Sequence, residues 1–273
     1  MGPLDAFATD HRRAIRGIIT DVDGTLTTNG KITATALAAL ERAQAAGLKV
    51  IAVTGAAAGT CDAMARTWPV DAVVGESGGF VFRLHPDTGR MVHLHILARD
   101  ERRNHWAQYE KVLEAIIAEV PGAALAADQA YRETDLAIDH AQDVASLGEE
   151  AVAQIVSIME AAGMTATYSN IHVNGWLGPY DKLTTTCLVL RELFRADVSD
   201  ADERGRWMFV GDSPNDAPLF DFFPHAVGVA NVRDFGDRLS AKPKYVTEQA
   251  SGAGFAEAVD AVLAAQSDAG ATE

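Results

Sequence analysis

Cysteine is almost missing from this chain of 273 residues, with only Cys61 and Cys187. The two make no CxxC pair and no zinc-finger spacing, which excludes a disulfide framework and a cysteine-held zinc. Both fall in helix-like stretches and read as small core residues, and free thiols fit a reducing compartment. Positive charge is scarce too. Lys and Arg number 23 against 38 Asp and Glu, a formal net charge of −15. Nucleic acid and anionic membranes need clustered cations, so neither is an expected partner. No apolar run is long enough to cross a bilayer, and the opening MGPLDAFATDHRRAIR lacks the apolar stretch of a signal peptide. The expected location is the cytoplasm. There is no internal repeat. What is present, 48% hydrophobic and 22% charged residues, can bury a sizeable core as one large domain or as a core with an insertion.

Two textures divide the chain. Residues 1–16 read as a mobile lead-in. Ile18–Val22 is an apolar strand, followed by a helix over 32–47 with Thr33 as N-cap and Gly47 as its stop. KVIAVT (49–54) is a second apolar strand, 56–68 a helix, and AVVGE (72–76) a third strand. This β-α-β-α-β run predicts a parallel sheet with right-handed crossovers. From Gly78 to about Asn174 the strands alternate instead. FVFR and MVHLHI form a hairpin around HPDTGR, residues 104–120 and 148–162 are helices, and YRETDLAID and TATYSNIHVN are further strands. That is an α+β pattern. After Gly175 the first texture returns, with a helix over 181–196, the strand WMFVGD (207–212), a short helix at 217–222, a strand at 226–230, KYVT and a closing helix. The terminal SDAGATE reads as a frayed tail. The expected organisation is a parallel α/β core over 1–79 and 176–273, interrupted by an inserted α+β module over 80–175.

Reactive side chains stand where the core strands end. Asp21 and Asp23 follow the first strand, Thr54 the second, and Asp212 the strand WMFVG, with Asp216 four residues later. In open α/β sheets, ligands sit outside the carboxyl ends of the strands. Four carboxylates in one pocket repel unless a cation joins them, and oxygen ligands suit Mg²⁺. Lys182 opens a core helix and adds a second positive charge. Asp21 and Asp23, two apart, share a strand face, and Gly24 permits the chain to turn.

DVDGT (21–25), Thr54, Lys182 in YDKLTTT and GDSPND (211–216) together resemble the four motifs of the haloacid dehalogenase superfamily, in order and across the whole core. The resemblance implies a Rossmann-like core and a phosphatase using Mg²⁺. Asp21 would attack phosphorus, and Asp23 would protonate the leaving alcohol and then activate water. Thr54, Gly55, Lys182 and Asn215 would hold phosphoryl oxygens. Asp21, the Asp23 carbonyl and Asp212 would ligate the metal, with Asp216 supporting the site. Residues 26–48 are too few for a module as well as a helix, so the insertion lies after Thr54. This is the position of a C2-type cap, and its texture resembles the IIB (Cof-like) branch. That branch includes sucrose-phosphate, trehalose-phosphate and mannosyl-phosphoglycerate phosphatases and phosphomannomutases, which implies a small phosphorylated metabolite, a sugar phosphate, as partner. A phosphotransferase or phosphomutase, or a catalytically silent phosphosugar-binding protein, are the alternatives. The expected state is a monomer or homodimer. The chain departs from the branch at Ala56, where Arg usually follows Thr-Gly, and at Ser77, where Glu-Asn-Gly is usual.

Rival readings fail on spacing. An EF-hand starting at Asp21 needs Gly at its sixth position and Glu at its twelfth, which here are Leu26 and Ile32. GESGG (75–79) fits GxSxG, but a strand-like FVFRLH follows where a nucleophile elbow needs a helix. His93 and His95 share a strand face but have no adjacent acid pair, and read as the polar face of a strand. In the insertion, Arg132, Glu133 and Asp135, with His172, Asn174 and Trp176, offer groups suited to sugar hydroxyls, Trp176 as a stacking face.

Overall fold

The computed structural model describes residues 1–270. The chain opens with a short strand, β1 (Gly2–Pro3), and a helix, α1 (Thr9–Ala14). Next come β2 (Gly17–Asp21), the small strands β3 (Thr27–Thr28) and β4 (Lys31–Ile32), α2 (Ala34–Ala45), β5 (Lys49–Val53), α3 (Ala58–Thr67) and β6 (Ala72–Gly75). A hairpin of β7 (Phe80–Leu84) and β8 (Met91–His95) follows. Then come α4 (Arg99–Glu119), β9 (Ala124–Leu125), β10 (Asp135–Asp139), α5 (Glu149–Ala161), β11 (Thr165–Tyr168) and β12 (His172–Trp176). The chain closes with α6 (Lys182–Phe194), α7 (Ala201–Arg204), β13 (Trp207–Gly211), α8 (Ala217–Phe222), β14 (His225–Gly228), β15 (Tyr245–Val246) and α9 (Ser251–Gly270). Residues 271–273, the end of the expected tail, lie outside the described residues, and α9 runs into that tail as far as Gly270.

Nine strands make the central sheet, in the order β1-β15-β14-β13-β2-β5-β6-β7-β8. From β1 to β6 every neighbouring pair is parallel. The unbroken apolar runs follow from burial on both faces. Ile18, Val50, Val73 and Met208 pack on one side with α2, α3 and α9. Ile19, Ile51, Val74 and Phe209 pack on the other with α6 and α8. Thr33 caps α2 by accepting from the Ala36 N–H, as its position predicts.

The hairpin β7–β8 joins β6 antiparallel and extends the central sheet rather than the smaller one. Phe80 and Phe82 go into one core layer and Val81 into the other, so both faces of β7 are buried by the core. The small sheet, β11-β12-β10-β9, is antiparallel throughout. Its Leu136, Ile138 and Val173 meet Val112, Ile116, Ile155 and Met159 of α4 and α5. The alternate positions, Asp135, Asp139, His172, Asn174 and Trp176, therefore share the other face.

The lead-in is a packed element, not a mobile one. β1 pairs with β15, and Phe7 is fully buried. Its ring stacks on Tyr245 and on His225, each with centroids 4.8 Å apart. Leu4 and Ile15 are buried with it, and Arg12 and Arg13 donate to the carbonyls of Ala261 and Ala265 in α9.

Candidate active site

Parallel neighbours bring the ends of β2, β5 and β13 to one edge of the sheet. Asp21 closes β2, and its side chain is buried. Lys182, the first residue of α6, donates from Nζ to Asp21 Oδ1 at 2.7 Å, to Asp216 Oδ1 at 2.9 Å and to Asn215 Oδ1 at 3.1 Å. Asp181 caps α6 in a capping box with Thr184, which sets the helix start and so the place of Lys182. Asp21 Oδ2 has no hydrogen-bond partner among the described residues. Burial, and next the Asp216 charge, push the Asp21 carboxyl up to about 7, with Lys182 opposing. For Lys182, burial disfavours the charge, but Asp21 and Asp216 outweigh it and raise its pKa.

Asp212 is buried one residue beyond β13. It accepts from Thr25 Oγ1 at 3.1 Å and from Asn231 Nδ2 at 2.7 Å. Asn231 Nδ2 also reaches the Gly24 carbonyl, at 3.1 Å. Burial, then the charges of Asp21 and Asp216, push the Asp212 carboxyl well up. Gly24 has φ +83°, and a Cβ there would lie 2.5 Å from Asp212 Oδ2, so glycine is required. Asp216 is fully engaged: Oδ1 takes Lys182, and Oδ2 takes the N–H groups of Asp212 at 3.0 Å and Ser213 at 3.2 Å.

Oxygens of Asp21, Asp212 and Asp216 lie within 4.8 Å of one another, all three side chains buried. A single ammonium cannot balance three carboxylates, and that excess charge adds to burial in raising the pKa values of Asp21 and Asp212. A hard divalent cation fits such an oxygen donor set.

Asp23 is exposed to solvent at the mouth of the site. Neighbouring protein atoms still strip part of its hydration and raise its pKa. Thr54 Oγ1 donates to Asp23 Oδ2 at 3.3 Å and accepts from the Ala56 N–H at 3.0 Å. The five residues singled out at strand ends and Lys182 at its helix start thus converge.

The residues expected to face a sugar divide. Asn174 and His172 lie on the face of the small sheet opposite α4 and α5. Burial lowers the pKa of His172, and Arg132 adds to that. Arg132 is buried, and each of its guanidinium nitrogens donates within the protein. Nε and Nη2 donate to Asp128 at 2.9 and 2.8 Å, and Nη1 to both Asp135 oxygens and to the Gly55 carbonyl at 2.9 Å. It ties the start of the small sheet to the Thr54–Gly55 loop. Glu133 accepts from Arg102 at 2.6 Å and pairs with His95 Nε2 at 2.7 Å. Trp176 is 1% exposed, stacks on Tyr180 and donates its indole N–H to the Tyr180 carbonyl at 2.8 Å. No face of the indole is free for a sugar, because residue 176 packs at the return of the chain to the core.

Sequence reasoning passed over Thr25, Asn231 and Glu76. Asn231 closely follows the strand at 225–228, so the strand-end rule that found Thr54 reaches it too. Glu76 is buried with φ +43°. It accepts from the N–H groups of Ala58 (2.8 Å), Glu133 (3.0 Å) and Thr134 (2.5 Å) and from Thr134 Oγ1 (2.6 Å). Burial and then Asp135 push its carboxyl up to about 8. A lone Glu after a strand carries no sign of those distant donors.

A central parallel sheet whose strand ends gather these acids, a threonine and a lysine defines a class. The family described as haloacid dehalogenase-like hydrolase matches residues 18–163, more than half of the chain, and the chain belongs to it. No curated protein matches it in sequence. Among solved structures, a Thermoplasma acidophilum protein is 21% identical with a TM-score of 0.69, over 91% of this chain and 98% of that one. The sucrose-phosphatase of Synechocystis, solved with sucrose and phosphate, is 17% identical with a TM-score of 0.62, over 92% and 98%. A subclass IIB sugar phosphatase is 14% identical with a TM-score of 0.59, over 90% and 98%. At these identities the likeness is one of fold.

Proposed function

We propose that this chain is a Mg²⁺-dependent phosphomonoesterase that acts on a sugar phosphate through an aspartyl-phosphate on Asp21. The observation that carries this reading is the state of Asp21. One oxygen is pinned by Lys182 at 2.7 Å and the other is left without a partner, within an acid cluster with Asp212 and Asp216. Oδ2 attacks phosphorus in line with the leaving oxygen. The P–O bond to the sugar breaks, and the departing oxygen takes the proton of Asp23. The raised pKa of Asp23 suits a group that must hold a proton. Asp23 then takes a proton from water, which attacks phosphorus and releases phosphate from Asp21. Thr54, Gly55, Lys182 and Asn215 hold the phosphoryl oxygens in both displacements. Asp21, Asp212 and the Asp23 carbonyl would hold Mg²⁺, which neutralises phosphoryl charge, and Asp216 holds its loop and Lys182 in place.

In this reading residues 80–175 are the inserted cap and 1–79 with 176–273 the catalytic core. Within the insertion, the small sheet with α4 and α5 covers the site, and the β7–β8 hairpin serves the core. The sugar class is supported by fold relatives whose names are those of sugar phosphatases. The test is phosphate release from hexose, pentose and disaccharide phosphates, with Mg²⁺ and after chelation. We expect release from at least one sugar phosphate that chelation abolishes. No release from any ester with Mg²⁺ supplied would contradict the proposal.

A further inference from the structure

Beside the Thr54–Gly55 loop, two polar atoms have no partner. A Cβ placed on Gly55 would lie 3.6 Å from Ser77 Oγ and 3.7 Å from Asn174 Oδ1. Among the described residues neither oxygen makes a hydrogen bond, and neither is among the occluded polar atoms. Ser77 comes from the core and Asn174 from the small sheet, so the notch between them spans the two units. Gly55 and Ala56 are small and leave it open.

The orientation of Asn174 is fixed by chemistry. Its Nδ2 donates to Asp135 Oδ2 at 2.8 Å, and a carboxylate only accepts. Asp135 is held in turn by Arg132 at 3.1 and 3.0 Å, and Arg132 also holds the Gly55 carbonyl. The amide oxygen is therefore the end presented beside Gly55. Ser77 is held with φ +55°, between Glu76 at +43° and Gly78 at +114°. A left-handed serine is costly and persists where its surroundings impose it. Here the Ser77 N–H donates to the Thr54 carbonyl at 3.1 Å, which fixes the hydroxyl beside the phosphate-holding loop.

The notch thus offers an acceptor and a hydroxyl. Arg132, the nearby cation, is spent on Asp128, Asp135 and Gly55. Resting on the phosphatase reading, we propose that Ser77 and Asn174 form the leaving-group subsite. It binds a hydroxyl of a neutral polyol or sugar close to the phosphoester and rejects a leaving group with a carboxylate there. The donated O–H meets Asn174 Oδ1, and Ser77 Oγ takes the neighbouring position. A carboxylate would set its oxygens against Asn174 Oδ1, acceptor against acceptor, with the Ser77 hydroxyl as the donor at hand.

Glycerol 3-phosphate and 3-phosphoglycerate test this, since they differ in a terminal hydroxymethyl against a carboxylate. p-Nitrophenyl phosphate, which has no hydroxyl on its leaving group, is the reference. The wild-type protein should favour glycerol 3-phosphate over 3-phosphoglycerate by at least about tenfold in kcat/KM. Asn174→Leu, and independently Ser77→Gly, which accepts the same backbone, should lower the ratio of glycerol 3-phosphate to p-nitrophenyl phosphate by about tenfold and about threefold. Equal use of glycerol 3-phosphate and 3-phosphoglycerate, or a ratio that neither variant moves, would overturn the subsite while p-nitrophenyl phosphate turnover left the phosphatase reading standing. No turnover of glycerol 3-phosphate by protein that hydrolyses a sugar phosphate would overturn the subsite and leave the phosphatase reading standing.

Discussion

Asn231 sets the position of Asp212 without touching the phosphoryl group in the proposed chemistry. Its Nδ2 bridges Asp212 Oδ2 and the Gly24 carbonyl, and its Oδ1 accepts the Ser251 N–H at 2.9 Å. It thus links the acid cluster to the start of α9. Groups that orient metal ligands typically govern affinity by 10–100-fold. Asn231→Ala should raise the Mg²⁺ concentration for half-maximal phosphate release by about 10–100-fold, and calorimetric Mg²⁺ binding should weaken in parallel. Unchanged affinity would remove Asn231 from the site. At this scale the residues that end core strands were legible in the sequence, because a parallel sheet delivers all strand ends to one edge. Arg132 and Trp176 were not. Their types suit sugars, but Arg132 is consumed by Asp128 and Asp135, three to four residues away in sequence, and Trp176 by Tyr180. Which of two available partners a side chain takes depends on packing that no motif records.

Among the elements, the lead-in gives the sharpest contrast between expectation and structure. Its sequence is short, polar and irregular, so nothing local marks it as ordered. Phe7 anchors it, through Tyr245 and His225 from β15 and β14, with Leu4 and Ile15 buried beside it. Removing a buried Phe ring costs about 3–5 kcal/mol. Phe7→Ala should lose about that much stability by urea denaturation, and amides of β1 and α1 should exchange faster. A loss under about 1 kcal/mol would mean the segment contributes little. The apolar strands β2, β5 and β13 were legible because burial on both faces needs unbroken apolar runs. Alternation is weaker evidence. The β7–β8 hairpin alternates like the small sheet yet belongs to the central one, since its partner is chosen by β6 and by two Phe side chains.

Across the whole molecule, two sheets face each other through a buried polar seam. Glu76 of the core accepts N–H groups from Glu133 and Thr134, and Arg132 reaches the Gly55 carbonyl. A charge of −15 gives no general attraction for a phosphate ester. Binding must come from local donors at the sheet edge and from a divalent ion. The proposed chemistry then turns on one covalent bond, between Asp21 and phosphorus. The direct measurement is an acid quench of the Mg²⁺-loaded protein during turnover of a sugar phosphate it hydrolyses, followed by mass spectrometry. The account predicts that one phosphoryl group is added to the peptide carrying Asp21, and that Asp21→Asn loses both this adduct and turnover. Full turnover by Asp21→Asn, or phosphoryl transfer to a different residue, would contradict it.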